Sequence, residues 1–263
     1  MKWLIVLSLP LLAWSKVHYA KVEPYTSVIL KSAVSGLVKD VDLDLEGTLV
    51  DSKRVIHLDD ALDIVNLANA NESIVLLEKM LKINQNIATS LNGTLRRQEG
   101  YYQRISKLST ASKTQKDNAY NSYISAKTQY LTTREKIINL QKQILDMHYK
   151  VSQLQDSISK KSLRLTNKYL YQFMVKEGDF VAPGSPLAKV DDASRAKLVL
   201  FLEPDELKKL EQKTIYLNDK KTEYKVNKVW KIADEKFISS YRAEIYIPAP
   251  KGSFSELMKV EIK

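Results

Sequence analysis

No proline occurs between Pro24 and Pro183. An interval that long, free of the residue that interrupts helices, leaves room for helices far longer than a globular core uses. Inside it the apolar residues keep a 3-4 spacing. One arm carries them at Leu67, Ala70, Ile74, Leu77 and Leu81 and continues through Asn84, Ala88, Leu91, Leu95, Gln98 and Tyr102 to Ile105. A second runs from Ala119, Tyr123, Ala126 and Tyr130 through Ile137, Leu140, Ile144 and Met147 to Ile158. The two seams are mirror images: 67 matches 154, 81 matches 140 and 102 matches 119, about a centre between Thr110 and Ala111. That centre lies in Ser109-Thr-Ala-Ser112, a run suited to a turn and a new helix N-cap. Sizes complement across the mirror, with Leu95 opposite Ala126, Tyr102 opposite Ala119 and Ala70 opposite Val151, as closely spaced helix axes require.

The chain therefore reads as α+β, with residues 59–165 forming a long antiparallel helical hairpin. Each arm of about 50 residues extends roughly 75 Å at 1.5 Å per residue. Asn84 and Gln98 place polar groups in the seam, which weakens the pair and pins its register. Gly93 and Gly100 make the distal half of the first arm the softer one. Asp60 and Lys161 are expected to pair at the hairpin base.

The flanks carry short strands and turns. Val28-Ile-Leu, Gly36-Leu-Val, Val41 to Leu45 and Thr48-Leu-Val50 precede the hairpin, and Tyr169 to Val175 and Val181 to Val190 follow it. Glu46-Gly47 and Glu177-Gly178 mark matching turns that need glycine's positive φ. Two half-motifs separated by a hairpin suggest one β-domain interrupted by an insertion. From Ala196 onward, Lys197 to Leu202, Thr214 to Leu217, Tyr224 to Ile232, Ala243 to Ile247 and Met258 to Ile262 read as strands. With a short helix starting at Pro204-Asp205-Glu206, they suggest a small β-barrel.

At the N-terminus, Lys2 precedes an apolar stretch from Trp3 to Trp14, too short to span a bilayer and fitting a cleavable secretory leader that ends at Ser15 or Ala20. The chain has no cysteine and only three histidines, at 18, 57 and 148. Disulfides, thiolate metal sites, a cysteine nucleophile and a lipidated N-terminal cysteine are thus excluded, and neither a catalytic nor a metal centre is expected. The net charge of +10 is spread along the length without a nucleic-acid motif, so no nucleic-acid partner is expected.

The segment from Glu177 through Val190 resembles the second half of a biotinyl/lipoyl-like domain, and Ser35 through Val50 resembles the first. A lipoyl-like domain split by a long hairpin is similar to the arrangement in periplasmic adaptor, or membrane fusion, proteins of the HlyD family. The resemblance implies a leader over 1–20, lipoyl-like halves at 21–58 and 166–194, a coiled-coil hairpin at 59–165 and a β-barrel at 195–263. The modified lysine of true carrier domains would lie where the hairpin is inserted, so no cofactor is expected. The barrel ends the chain, and the membrane-proximal domain of many adaptors is expected to be absent.

The family also resembles itself at the hairpin tip, where an Arg, a Leu four residues on and a Ser of the next helix dock to a TolC-like outer-membrane channel. Arg104 and Leu108 have that spacing, and Ser112 opens the second arm after a gap shorter than is usual in the family. The residues agree in part: Leu108 lies off the seam and needs another partner, and Arg104 presents a forked donor set. The implied function is non-enzymatic. It is a periplasmic homo-oligomer, trimer to hexamer, joining an inner-membrane transporter (RND-type first, ABC second) to the channel. An exported structural rod with β caps is the alternative.

Overall fold

The computed structural model describes residues 16–263 apart from 235, 236 and 251–253. The elements are β1 (Val17–Lys31), β2 (Gly36–Val41), β3 (Thr48–Val50), β4 (Lys53–Leu58), α1 (Ala61–Lys107), α2 (Lys113–Lys160), β5 (Ser162–Leu165), β6 (Lys168–Phe173), β7 (Phe180–Val181), β8 (Pro186–Leu202), β9 (Ile215–Leu217), β10 (Lys220–Lys221), β11 (Val226–Val229), β12 (Tyr241–Pro248) and β13 (Leu257–Ile262). They form two compact units, one of His57–Ser162 and one of the chain up to Ile56 with Leu163–Lys263.

The β-rich unit is organised by two long strands. β1 pairs with β13 over Val17–Lys21 and then with β8 over Val22–Lys31, the register shifting between Pro24 and Thr26. Proline is tolerated there because a bulge needs no ladder donor. The larger sheet runs β10-β9-β13-β1-β8-β12-β11, with β6 joining β8 and β3 joining β6; the smaller one runs β5-β4-β2-β7. Alternate residues of the long strands point one way, so Ala20 and Val22 meet Ala196, Leu198, Leu200 and Ile245 in one apolar core. Gly47, Gly178 and Gly184 hold φ of +73, +91 and +91 in their turns, so both Glu-Gly turns use the left-handed region that glycine enters freely.

Several sequence expectations change here. The apolar leader segment lies outside the described residues up to Ser15, but Val17–Ala20 belong to β1 and Ala20 is fully buried. A leader ending at Ala20 would remove part of the core, whereas one ending at Ser15 leaves β1 whole. The boundary expected at 194/195 falls inside β8. There Asp192 accepts hydrogen bonds from the Ser194 hydroxyl and backbone and from Lys168, which satisfies the polar residues and lets the strand continue. The strand read over Val41 to Leu45 stops at Val41 and gives way to a 3-10 turn, Leu43–Leu45.

The helix read from Pro204 is a run of i to i+3 turns ending in a 3-10 segment, Leu210–Gln212. Its start signal is real, since Glu206 reaches back to the Glu203 N–H at 2.9 Å. Lys209 then adopts φ +54, which breaks helical propagation.

In the helical unit, α1 and α2 lie antiparallel as a hairpin. Ala70, Ile74, Asn84 and Ala88 of α1 and Ala119, Ala126, Ile137 and Leu140 of α2 are its buried residues, all on the two seams. Hydroxyl and amide side chains on the outer faces turn back to their own helix, as Thr89 does to Gln85 O and Asn71 to Leu67 O. Asn84 does the same inside the seam, donating to Met80 O at 2.8 Å.

At the base, Lys161 Nζ bonds Asp63 Oδ2 at 2.6 Å and the Asp59 carbonyl at 2.8 Å. The expected Asp60–Lys161 pair is not formed. Asp60 occupies the N-cap position before the seam begins, and its carboxylate faces His57 Nε2 at 3.3 Å. The helical reading also ran too far, because Ser162–Leu165 are β5.

Candidate functional site

The hairpin tip is a five-residue connection, 108–112. α1 ends at Lys107, and the Leu108 N–H bonds the Ile105 carbonyl as the chain turns extended. Arg104 and Lys107 sit in the last turn, where cations oppose the helix dipole. Ser112 caps α2 in a reciprocal box: its Oγ accepts the Gln115 N–H at 3.2 Å while Gln115 Oε1 accepts the Ser112 N–H at 2.9 Å.

Each residue singled out by the sequence has a definite place. Leu108 is the C-cap of α1 and is 48 % exposed, an apolar group with no seam to enter. Arg104 is exposed and its side chain makes no hydrogen bond to the described residues; its guanidinium folds over Gly100, where an added Cβ would meet Nη1 at 3.5 Å. The Ser112 Oγ is committed as an acceptor to its own helix and keeps its hydroxyl proton to donate. No hydrogen bond joins these three residues to one another. They stand as separate contacts on a small protrusion.

Two features of the tip go beyond the motif. Between Arg96 and Asp117 the chain has six basic residues and two acidic ones, so the protrusion suits an acidic or carbonyl-rich surface. Below it, Tyr102 stacks on Tyr123 at 5.9 Å and tilts against Tyr120 at 5.4 Å. These rings fix the two arms just under the turn. The sequence signal for them was the pair of tyrosines, 120 and 123, that follows Ala119, whose small side chain leaves room for the Tyr102 ring.

The outer faces of the hairpin carry a second pattern. Leu76, Met80, Ile83 and Ile87 each precede a seam residue of α1 and are exposed; Ile124, Leu131, Ile138 and Leu145 each follow a seam residue of α2 and are exposed too. One step back on α1 and one step forward on α2 turn in the same rotational sense, because the helices run in opposite directions. The two stripes therefore lie on opposite faces of the hairpin. Among the described residues no group of three or more His, Asp or Glu side chains could hold a metal ion, and no helix is long and apolar enough to cross a membrane.

No family model and no curated protein sequence matches the chain. Its three-dimensional arrangement does find counterparts. The crystal structure of MacA from Actinobacillus actinomycetemcomitans matches 95 % of this chain and 78 % of its own, with a TM-score of 0.73 at 14 % identity. The membrane fusion protein Spr0693 from Streptococcus pneumoniae R6 matches 95 % of this chain and 98 % of its own, with a TM-score of 0.59 at 11 % identity. The chain has the membrane fusion protein fold. A putative efflux transporter from Bacteroides eggerthii DSM 20697 follows at a TM-score of 0.50 and 11 % identity, over 94 % of this chain and 68 % of its own. The resemblance to the periplasmic adaptors, read from the two Glu-Gly half-motifs and the hairpin between them, holds at the level of the fold.

Proposed function

We propose that this chain is the periplasmic adaptor of a tripartite efflux system and has no catalysis of its own. In this reading it is exported, with the leader ending at Ser15, and joins an inner-membrane transporter to a TolC-like outer-membrane channel. The observation that carries the reading is the fold match to MacA over 95 % of the chain, together with a hairpin that ends in an exposed, cationic turn. The parts of the β-rich unit take the roles the resemblance implies. β2 to β7, with the ends of β1 and β8 that they join, form the split lipoyl-like domain. The remaining lengths of β1 and β8, with β9 to β13, form the barrel.

The opposite-face stripes support lateral packing of copies. The apolar face of α1 on one copy meets that of α2 on the next, a head-to-tail contact that repeats and can close into a ring. Tip contacts that are weak singly become effective through multiplicity, because an engaged ring presents the remaining tips at high local concentration. Arg104 donates to carbonyls or carboxylates of the channel, Leu108 fills an apolar recess, and Ser112 donates its free hydroxyl proton.

The test is a photoreactive residue at position 104, 108 or 112 in the native host, with Lys142 as the mid-arm control. Adducts with an outer-membrane channel from the tip positions alone are expected. Self-adducts only, at every position, would overturn channel docking and favour a structural rod. Co-purification then identifies the transporter, an RND pump being the first expectation and an ABC transporter the second.

A further inference from the structure

The connection between β11 and β12 is short and internally tied. Trp230 N–H bonds the Arg242 carbonyl at 2.9 Å, Asp234 N–H bonds the Ser240 carbonyl at 2.9 Å, and Ser240 N–H bonds the Phe237 carbonyl at 2.8 Å. The Phe237 ring rests 4.3 Å from Phe201 of β8. Beside these bonds Ile232 is 81 % and Ile238 84 % exposed. Two aliphatic side chains of one strand connection, beyond the Trp230–Arg242 bond, are thus left to solvent.

Behind these tips the chemistry is layered. The Trp230 ring is flanked by Lys228 Nζ at 4.3 Å and Arg242 Cζ at 4.9 Å. Lys228 also lines a groove of about 660 Å³ whose other cations are Lys209, Lys213 and Lys225 and whose single acid is Glu211. From position 228 to 242 the sequence holds four basic and two acidic residues. One of those acids, Asp234, accepts the Phe237 N–H at 3.3 Å inside the loop. Aliphatic tips, then an indole, then a field of cations is the order met on passing from the acyl chains of an anionic bilayer through its headgroups to water. A protein-docking patch is built differently, with its apolar groups central and flat and charges of both signs on the rim.

We infer that the 230–242 loop is a lipid-insertion element for an anionic membrane surface. Ile232 and Ile238 enter the acyl boundary, Trp230 lies at headgroup level, and Lys228, Lys231, Lys209 and Lys225 meet lipid phosphates, while Arg242 stays bonded to Glu244 at 2.9 Å and Lys213 to the Glu206 carbonyl at 2.8 Å. The inference goes beyond the adaptor reading and stands on the loop alone.

The chain has three tryptophans, at 3, 14 and 230, so a Trp3→Phe/Trp14→Phe variant reports from Trp230 only, whether or not the leader is removed. It is mixed with phosphatidylglycerol/phosphatidylethanolamine vesicles carrying brominated acyl chains, and separately with phosphatidylcholine vesicles. The expected result is a blue shift, bromine quenching and flotation with the anionic vesicles, weakened by salt and largely absent with phosphatidylcholine. Ile232→Ser/Ile238→Ser should bind roughly tenfold more weakly, the loss of about half the burial of two isoleucines. Lys231→Glu should reduce the preference for anionic lipid. An unquenched indole, or binding indifferent to Ile232→Ser/Ile238→Ser, overturns the inference. So does a photoreactive group at 238 that captures a protein from cells while vesicles are ignored. Tip crosslinking to the channel is read separately, so either idea can fail alone.

Discussion

Replacing both Gly93 and Gly100 by alanine should stabilise the helical hairpin. Both lie inside α1, where glycine costs about 1 kcal/mol relative to alanine through backbone entropy. Whether that gain is realised depends on what a new Cβ would touch. At Gly93 the nearest atom is Arg97 Nη1 at 3.7 Å, and at Gly100 it is Arg104 Nη1 at 3.5 Å. Both are ordinary contacts with the free end of a flexible side chain. The sites are two turns apart, about 10 Å along the axis, so the gains should add to about 2 kcal/mol. With a urea dependence of 1–3 kcal/mol/M, the unfolding midpoint should rise by about 1 M. Far-UV circular dichroism follows this transition, because nearly all the helix of the described residues is in α1 and α2. A lowered midpoint would refute the reasoning, since it would mean the glycines are needed for close approach within the hairpin. A raised midpoint with lost tip crosslinking would place the requirement in a partner instead, against the α1 face that Arg97 and Arg104 now cover.

Further predictions rest on other parts of the molecule. Ser112→Ala should cost about 1 kcal/mol by removing the cap of α2, and Ser112→Asp should restore urea stability; if Ser112→Asp also restores channel crosslinking, the serine acts as a cap and not as a docking donor. Asp192 accepts from the Ser194 hydroxyl, the Ser194 N–H and Lys168, in that order of effect, which holds its carboxyl at about 2 against an ordinary 3.8. A carboxyl depressed on folding adds stability above about pH 4 that is lost as the pH falls toward 2. The stability gap between wild type and Asp192→Asn should therefore narrow over that window, and a constant gap in urea titrations would remove Asp192 as its source. Ile138→Asp/Leu145→Asp leaves the inner seam intact and charges the outer α2 stripe; sedimentation velocity should show loss of self-association with helicity unchanged, and assembly as strong as wild type would exclude this face.

The hairpin was readable in advance because its pattern is redundant: two seams of the same period and a run of small hydroxyl residues agree on one turn. Residues 162–165 were misread because Leu163 and Leu165 continue an apolar run that short segments cannot assign to helix or strand. Of β1 only Val28-Ile-Leu was read as strand, because Pro24 interrupts the stretch before it, and only the β8 partner reveals the bulge that accommodates the proline. At the base, the mirror rule selected Asp60 by position, but a capping residue does not share the seam's direction, and Asp63 one turn later does. At the tip, spacing located Arg104, Leu108 and Ser112; the engagement of the Ser112 Oγ with Gln115 required side-chain geometry, as did the Tyr102 stack. The outer stripes were present in the sequence at heptad intervals, one residue off the seam that drew attention first.

The unbroken length of β1 and β8 has a mechanical meaning. Where β domains are joined by a linker, tension is taken up by straightening the linker. Here the pairs from Val22–Leu198 to Lys31–Pro186 follow one antiparallel pairing of the two strands, its register shifting only between Pro24 and Thr26 and between Leu30 and Lys31. A pull directed along those strands loads the hydrogen bonds together in shear, and none can yield until many do. The β-rich unit should respond to traction as a stiff beam and return to its original length when the load is released.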